Sequence, residues 1–143
     1  MKQTYQNHRK VVPVYHYLLY LLIYTVIISS FVKLYQYRGS GEHFYDSLLF
    51  LTTGVALFFV AWYTRIFPLK AQDRAIRAEE NLRHFVLTGK LLDQRLNVEQ
   101  IVALRFASDE EFPDLAKIAV EKNLSNKDIK KAIVNWKADN YRL

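Results

Sequence analysis

Few residues of this sequence have types and spacing suited to chemistry, and the first candidates are Glu80 and His84. They lie one helical turn apart, where a carboxylate and an imidazole can supply two ligands to a metal ion. Most zinc enzymes use at least three protein ligands, so a surface pair is the simpler interpretation. The sequence therefore predicts no metal site.

An acidic run, Asp109 to Glu111, is the second candidate, because a carboxylate can act as a general base. Such runs also begin helices, where acids favour the positive end of the helix dipole, and we predict that role here. A membrane-surface enzyme acting on lipid or envelope material is the alternative, and it requires Glu80, His84 and these acids to converge.

The 143 residues contain no P-loop, Gly-rich dinucleotide turn, HExxH, CxxC or G-x-S-x-G motif, and no cysteine. We therefore assign no catalytic residue and expect no cofactor. Residues 1–64 hold five basic and two acidic residues, and residues 65–143 hold fifteen and twelve, so each part is net +3. Because acids are interleaved with the bases, nucleic acid is not an expected partner.

Two uncharged stretches, Val11 to Val32 with 22 residues and Ser47 to Thr64 with 18, are long enough to cross a bilayer. They predict a two-helix transmembrane hairpin, residues 1–64, followed by a helical domain, residues 65–143. A cleaved signal peptide is disfavoured by the length of the first stretch and by the lack of a small-residue cleavage site. A buried soluble hairpin would need a far larger protein around it.

Basic residues flank the outer ends of the two spans more densely than the loop between them. They are Lys2, Arg9 and Lys10 before the first span and Arg65, Lys70, Arg74 and Arg77 after the second, against Lys33 and Arg38 in the loop. The positive-inside rule therefore predicts that both termini are cytoplasmic. The loop, with a turn at 38–41, is short.

Small and aromatic residues each recur every seven positions in the predicted spans. The small ones are Ser47, Gly54 and Ala61, and the aromatic ones are Tyr17, Tyr24 and Phe31. Folding the chain at Gly39 pairs Tyr24 with Gly54, so that large residues fill the space left by small ones. A chance match in an aromatic-rich sequence is the alternative interpretation.

A third functional class, a small transporter or channel subunit, would need several copies around a polar path. The hydroxyl groups available for such a path belong to Tyr20, Thr25, Ser29, Thr52 and Thr53. Two spans alone enclose no channel, so this hypothesis depends on oligomerisation.

The part after the second span is predicted to be a small cytoplasmic bundle of about four helices, which makes the chain all-α. The first helix has an apolar stripe spaced by four and three, Ala71, Ala75, Ala78, Leu82 and Phe85, and ends near Thr88-Gly89. It either continues the second span through Pro68 or begins after a break there. Asp73 with Arg77 and Glu79 with Arg83 are expected surface pairs.

Three shorter helices are expected after it, with starts marked by Asn97 and Gln100, by Asp114, and by Ser125 and Asp128. In the last helix, Ile129, Ala132, Ile133 and Trp136 fall on one face. The predicted cytoplasmic core therefore consists of Leu82, Phe85, Ile129, Ile133 and Trp136. The lysines of this helix form either a solvated face or a surface near anionic headgroups.

Four segments carry a resemblance to a known family: residues 72–77, 87–90, 103–111 and 129–139, which read QDRAIR, LTGK, ALRFASDEE and IKKAIVNWKAD. They resemble, in order, a family of small bacterial two-span membrane proteins of unknown function. The resemblance implies a bacterial inner membrane setting and no particular reaction.

The sequence favours a non-catalytic accessory or scaffold protein anchored in the bilayer. We expect its helices to bind a second copy or another membrane protein, since helix surfaces with small and apolar residues suit helix association.

Overall fold

The computed structural model describes residues 4–5, 11–39 and 41–139, apart from the Glu42 side chain. Lys2, Arg9, Lys10 and Ser40, used above for orientation and for the turn, lie outside the described residues. The helices within them are a π-helical segment Val14–Leu19, α1 (Tyr20–Gln36), α2 (Gly41–Thr88), α3 (Val98–Leu104), α4 (Phe112–Glu121) and α5 (Asn126–Ala132). These residues form no strand, and the predicted all-α class is confirmed.

Two of the helices are long and apolar enough to cross a membrane, Val14–Gln36 and His43–Thr88. The second includes most of α2, which is a single helix of 48 residues with Pro68 inside it. Of the two alternatives left open at Pro68, the structure has the continuous helix, so α2 contributes to both the hairpin and the bundle. It ends at Thr88, directly before Gly89, whose φ of 72° is a left-handed conformation that glycine adopts without steric cost.

The chain forms two compact units, one of residues Val11–Phe67 and one of the residues from Pro68 onward together with Thr4 and Tyr5. In the first unit α1 packs against the first part of α2. The Tyr15 hydroxyl donates a hydrogen bond to the Ala61 carbonyl, and Tyr20 contacts Phe58 edge to face. This unit is the helical hairpin.

The second unit has a small apolar core built from its loops and short helices. The fully buried residues include Leu104, Phe106, Phe112 and Ile129. Asn97 begins α3 with the predicted capping box, since its side chain accepts from Gln100 N–H while its own N–H donates to Gln100 Oε1. The start of α3 is thus set by hydrogen bonds between neighbouring residues.

The end of the chain differs from the prediction, because α5 stops at Ala132 and Ile133 is already extended. Trp136 is therefore not on a helix. It forms an antiparallel bridge with Ala107, and its ring stacks on Phe106 with 4.7 Å between centroids. The bridge to the backbone of residues 106–107, completed by Lys137 N–H donating to Phe106, ends the helix a turn early.

Candidate functional site

The hairpin interface lies along the small-residue line of α2. Ser47, Gly54 and Ala61 are all buried in this unit. A Cβ placed on Gly54 would lie 2.9 Å from Ile27 Cγ1 and 3.3 Å from Val26 Cγ1. Glycine is therefore favoured here, because α1 approaches α2 so closely that an added Cβ would force Ile27 to move.

The aromatic residues expected opposite this line lie elsewhere. Tyr17, Tyr24 and Phe31 are 66%, 49% and 63% exposed, whereas Ile23 and Ser30 are the buried residues of α1. The side-chain atoms nearest Gly54 belong to Ile27 and Val26, in place of the Tyr24 that the register predicted. Tyr24 instead lies beside Phe58, with 6.1 Å between ring centroids.

The observed packing face of α1 is rotated from the predicted one by about one residue, which corresponds to about 100° around a helix. The small-residue line does lie on the packed face of α2, but the side chains at Gly54 are those of Ile27 and Val26, and the Tyr15 hydroxyl is the group that bonds to the Ala61 carbonyl. The two helices are so close at Gly54 that Ile27 Cγ1 would already touch a single added carbon.

The hydroxyls proposed for a polar path bond mostly to their own helices. Thr25 Oγ1 donates to the Leu21 carbonyl at 2.8 Å, and Thr53 Oγ1 donates to the Leu49 carbonyl at 2.8 Å. Thr52 also donates to Leu49, and Tyr20 packs against Phe58. Ser29 is exposed. Hydroxyls satisfied in this way do not need a polar path.

Arg83 organises the polar groups of the second unit. Its Nη1 lies 2.9 Å from Glu80 Oε2, its Nε donates to Asp109 Oδ1 at 2.7 Å, and its Nη2 donates to the Ala107 carbonyl at 2.8 Å. The guanidinium also lies over the Phe112 ring at 4.4 Å from the centroid. Arg83 thus joins α2 to the segment between α3 and α4.

The predicted surface pair of Arg83 with Glu79 is therefore replaced by a pair with Glu80. Burial raises the pKa of the Glu80 carboxyl, and the neighbouring Arg83 opposes that shift. The hydrogen bond from Arg83 lowers the pKa of Asp109. A sequence signal for the long-range pair was absent, since Arg83 and Asp109 are 26 residues apart.

The candidate acids of the run are used in structural hydrogen bonds. Glu111 accepts from the N–H groups of Ser108, Val134 and Asn135 at 3.1 to 3.2 Å. It precedes Phe112, the first residue of α4, so the predicted role of this run at a helix start fits the structure. The last acid of the run ties α4 to the segment after α5.

The interactions of His84 are with residues other than Glu80. Its Nδ1 lies 2.7 Å from the Lys90 carbonyl, which only accepts, so this nitrogen carries the proton. Its ring meets Phe112 edge to face. Within the part of the chain that the structure describes, no three His, Asp or Glu residues are grouped so that they could hold a metal ion.

A surface cavity of about 540 Å³ opens beside His84. Its lining carries charges of both signs: Lys90, Asp93, Arg95, Asp114, Lys117 and Glu121. Arg95 and Asp93 already form an ion pair at 2.7 Å, and this pair and its hydrogen bonds lower the pKa of Asp93 to about 2. The cavity therefore has no dominant charge with which to select one class of ligand.

The cytoplasmic core residues of the prediction separate into two groups. Ile129 is fully buried, Ile133 is partly buried against the core, and Trp136 stacks on Phe106. Leu82 and Phe85 are 63% and 50% exposed, so the structure places them outside the core. The face of α2 that packs inward carries Ile76, Glu80 and Arg83 instead.

The whole apolar stripe of α2 is consequently uncovered within this unit. We call it the open stripe, and it consists of Ala71, Ala75, Ala78, Leu82 and Phe85. The buried core of the unit contains residues from the segments after α2, among them Leu92, Leu96 and Phe112. Sequence reasoning missed Leu92 and Leu96 because they lie in a connection without helical periodicity.

A family model for a family of unknown function, DUF6526, matches residues 1–143 of the chain. The chain belongs to DUF6526. This match confirms the resemblance to a family of unknown function that the sequence showed. No curated protein and no solved structure matches the chain.

Proposed function

We propose that this chain is a non-catalytic accessory or scaffold protein, anchored in a bilayer by its hairpin and acting through association of its helices with a protein partner. The partner is either another membrane protein or a second copy of the chain. No nucleic acid takes part.

Uncovered apolar surface is the observation that carries the proposal. Only 11% of the apolar stretch in Val14–Gln36 and 17% of that in His43–Thr88 is buried within the chain. The core helix of a soluble protein would be mostly buried, because each exposed square ångström of apolar surface costs roughly 25 cal/mol in water. A lipid bilayer removes this cost for the hairpin.

Orientation in the bilayer follows from the charges beside the hairpin. Arg65, Lys70, Arg74 and Arg77 come after the second span, and such clusters stay on the cytoplasmic side. Both termini are then cytoplasmic. The family resemblance supports the inner membrane of a bacterium as the location.

Association is favoured over catalysis by the way the polar groups are used. Glu80, Asp109 and Glu111 are held in bonds that tie the second unit together. The open stripe, in contrast, presents Leu82 and Phe85, which are both exposed and follow the predicted hairpin spans. Exposed apolar faces of this kind mark sites of protein association.

Purification of the full chain tests the proposal in two steps. The chain should stay with the membrane through an alkaline wash, and in mild detergent it should migrate as an oligomer or with a stoichiometric partner identified by mass spectrometry. Release by the alkaline wash would overturn the anchor, and a lone monomer without any co-purifying protein would overturn the association.

A further inference from the structure

The open stripe has the spacing of a coiled-coil seam. Its steps of four, three, four and three residues place Ala75 and Leu82 at position a of a heptad and Ala71, Ala78 and Phe85 at position d. All five are exposed. A stripe of this kind is covered best by another helix with the same repeat.

Charges beside the seam specify the direction and the register of that second helix. In this heptad Arg74 occupies position g and Glu79 position e. In a parallel pair of helices, position g of one helix faces the e position five residues later on the other. Arg74 of one copy would therefore face Glu79 of the other, twice across the pair, with opposite charges.

Both side chains are available for this contact. Arg74 and Glu79 are exposed, and neither has an ion pair to another residue in the described ranges 4–5, 11–39 and 41–139. Arg83, the partner that the i,i+4 spacing suggested for Glu79, is occupied by Glu80 and Asp109 instead. The flanking charges are thus left for a partner outside the chain.

The helix that carries the stripe is already ordered for docking. Ile76, Glu80 and Arg83 lie on the opposite side of α2 and pack into the unit, so the open stripe is presented without folding of the segment. Binding then loses less conformational entropy than the pairing of two free peptides.

We propose that a second copy of this chain covers the open stripe in a parallel, in-register coiled coil along residues 71–85. The inference deepens and rests on the proposed function, because a second copy of the chain in the same membrane is one of the two partners proposed there. In a parallel, in-register pair the two helices are related by a two-fold axis, and each residue of the seam faces its own counterpart.

Single cysteines test the seam directly, since the chain has none of its own. Leu82→Cys lies in the seam, whereas Leu87→Cys lies five residues on, about 140° around the helix, and is also exposed. In isolated membranes treated with a mild oxidant, the full chain with Leu82→Cys or Ala78→Cys should form the disulfide dimer at least about tenfold faster than Leu87→Cys. Equal rates at the three positions would overturn the proposal.

Charge reversal tests the register independently of the seam. In the Leu82→Cys background, Arg74→Glu places acids opposite acids at both flanks and should slow cross-linking about fivefold. Adding Glu79→Arg should restore the rate, and Arg77→Glu, on the outer side of the seam, should leave it unchanged. Failure of the double reversal to restore cross-linking would overturn the in-register parallel arrangement.

Failure of this inference is distinguishable from failure of the proposed function. If Leu82→Cys does not cross-link to itself but a different protein co-purifies in mild detergent, the second copy is excluded and the accessory role stands. If the chain forms neither a self cross-link nor a complex, both fail.

Discussion

The two ends of α2 use their small and apolar residues in opposite ways. Near the start of α2, Ser47, Gly54 and Ala61 are covered by α1 of the same chain. Near its end, Ala78, Leu82 and Phe85 are covered by nothing in the described second unit, because the inward face is a polar one with Glu80 and Arg83. Residue type alone therefore does not tell which partner covers a helix face.

The largest expected effect separates the true core from the open stripe. Ile129→Ala should lower the free energy of unfolding by about 4 kcal/mol, because Ile129 is fully buried and the substitution leaves a cavity. Leu82→Ala, in the full chain diluted until the copies separate, should change it by no more than about 0.5 kcal/mol. Chemical denaturation in detergent measures both, and similar losses would place Leu82 in the core.

Loss of the Arg83 side chain should have the next largest effect. Arg83→Gln leaves the buried Glu80 without its cation and should cost about 3 kcal/mol at neutral pH. Adding Glu80→Gln should recover a large part of the loss, because it removes the unpaired charge. A double variant that is no more stable than Arg83→Gln would contradict this account of the polar face.

The same pair predicts a pH dependence with a definite sign. The raised pKa of Glu80 means that its contribution to stability is present below its ordinary value and is lost as pH rises through the raised value. Arg83→Gln removes the group that opposes the shift, so this variant should lose more stability than the wild-type chain as the pH rises above the ordinary pKa of a glutamate carboxyl. Parallel stability profiles for the two proteins would refute it.

A clash at the hairpin interface should lower the free energy of unfolding by about 2 kcal/mol. Gly54→Val adds side-chain atoms where Ile27 Cγ1 is already 2.9 Å from the position of a Cβ. Gly39→Val is the matched control, because nothing lies within 4 Å of its Cβ position. Thermal unfolding in detergent should separate the two variants, and equal stability would mean that α1 does not pack at Gly54.

The smallest effect is expected at the end of α2. Gly89→Ala should destabilise the chain by about 1 kcal/mol, since Gly89 has a φ of 72° and alanine is strained there. Gly39→Ala is again the control. A neutral result at Gly89 would show that the end of the helix can adopt another conformation at no cost.

Features set by neighbouring residues were predictable from the sequence. The two apolar stretches, the capping box of Asn97 and Gln100, and the stop at Gly89 each depend on a few adjacent residues. The rotation of α1 and the inward face of α2 depend on packing between distant segments. The apolar stripe with Leu82 and Phe85 has the same sequence pattern whether it packs against its own chain or against another one.

Trp136 illustrates the same limit. Its spacing from Ile129 fits a helix face, but the bridge to Ala107 ends α5 at Ala132 and carries the ring to Phe106 in an extended segment. Arg83 likewise has a nearby acid in Glu79 and pairs instead with Glu80 and a distant Asp109.

Accessibility of two leucines on α2 tests the central claim, that the first part of this helix lies in lipid and its end in water. Leu57 and Leu87 are 48% and 42% exposed, so the chain itself covers them to nearly the same extent. In open membrane fragments, a water-soluble maleimide should label Leu87→Cys and leave Leu57→Cys unlabelled until detergent dissolves the bilayer. Equal labelling of the two cysteines before detergent is added would contradict the account.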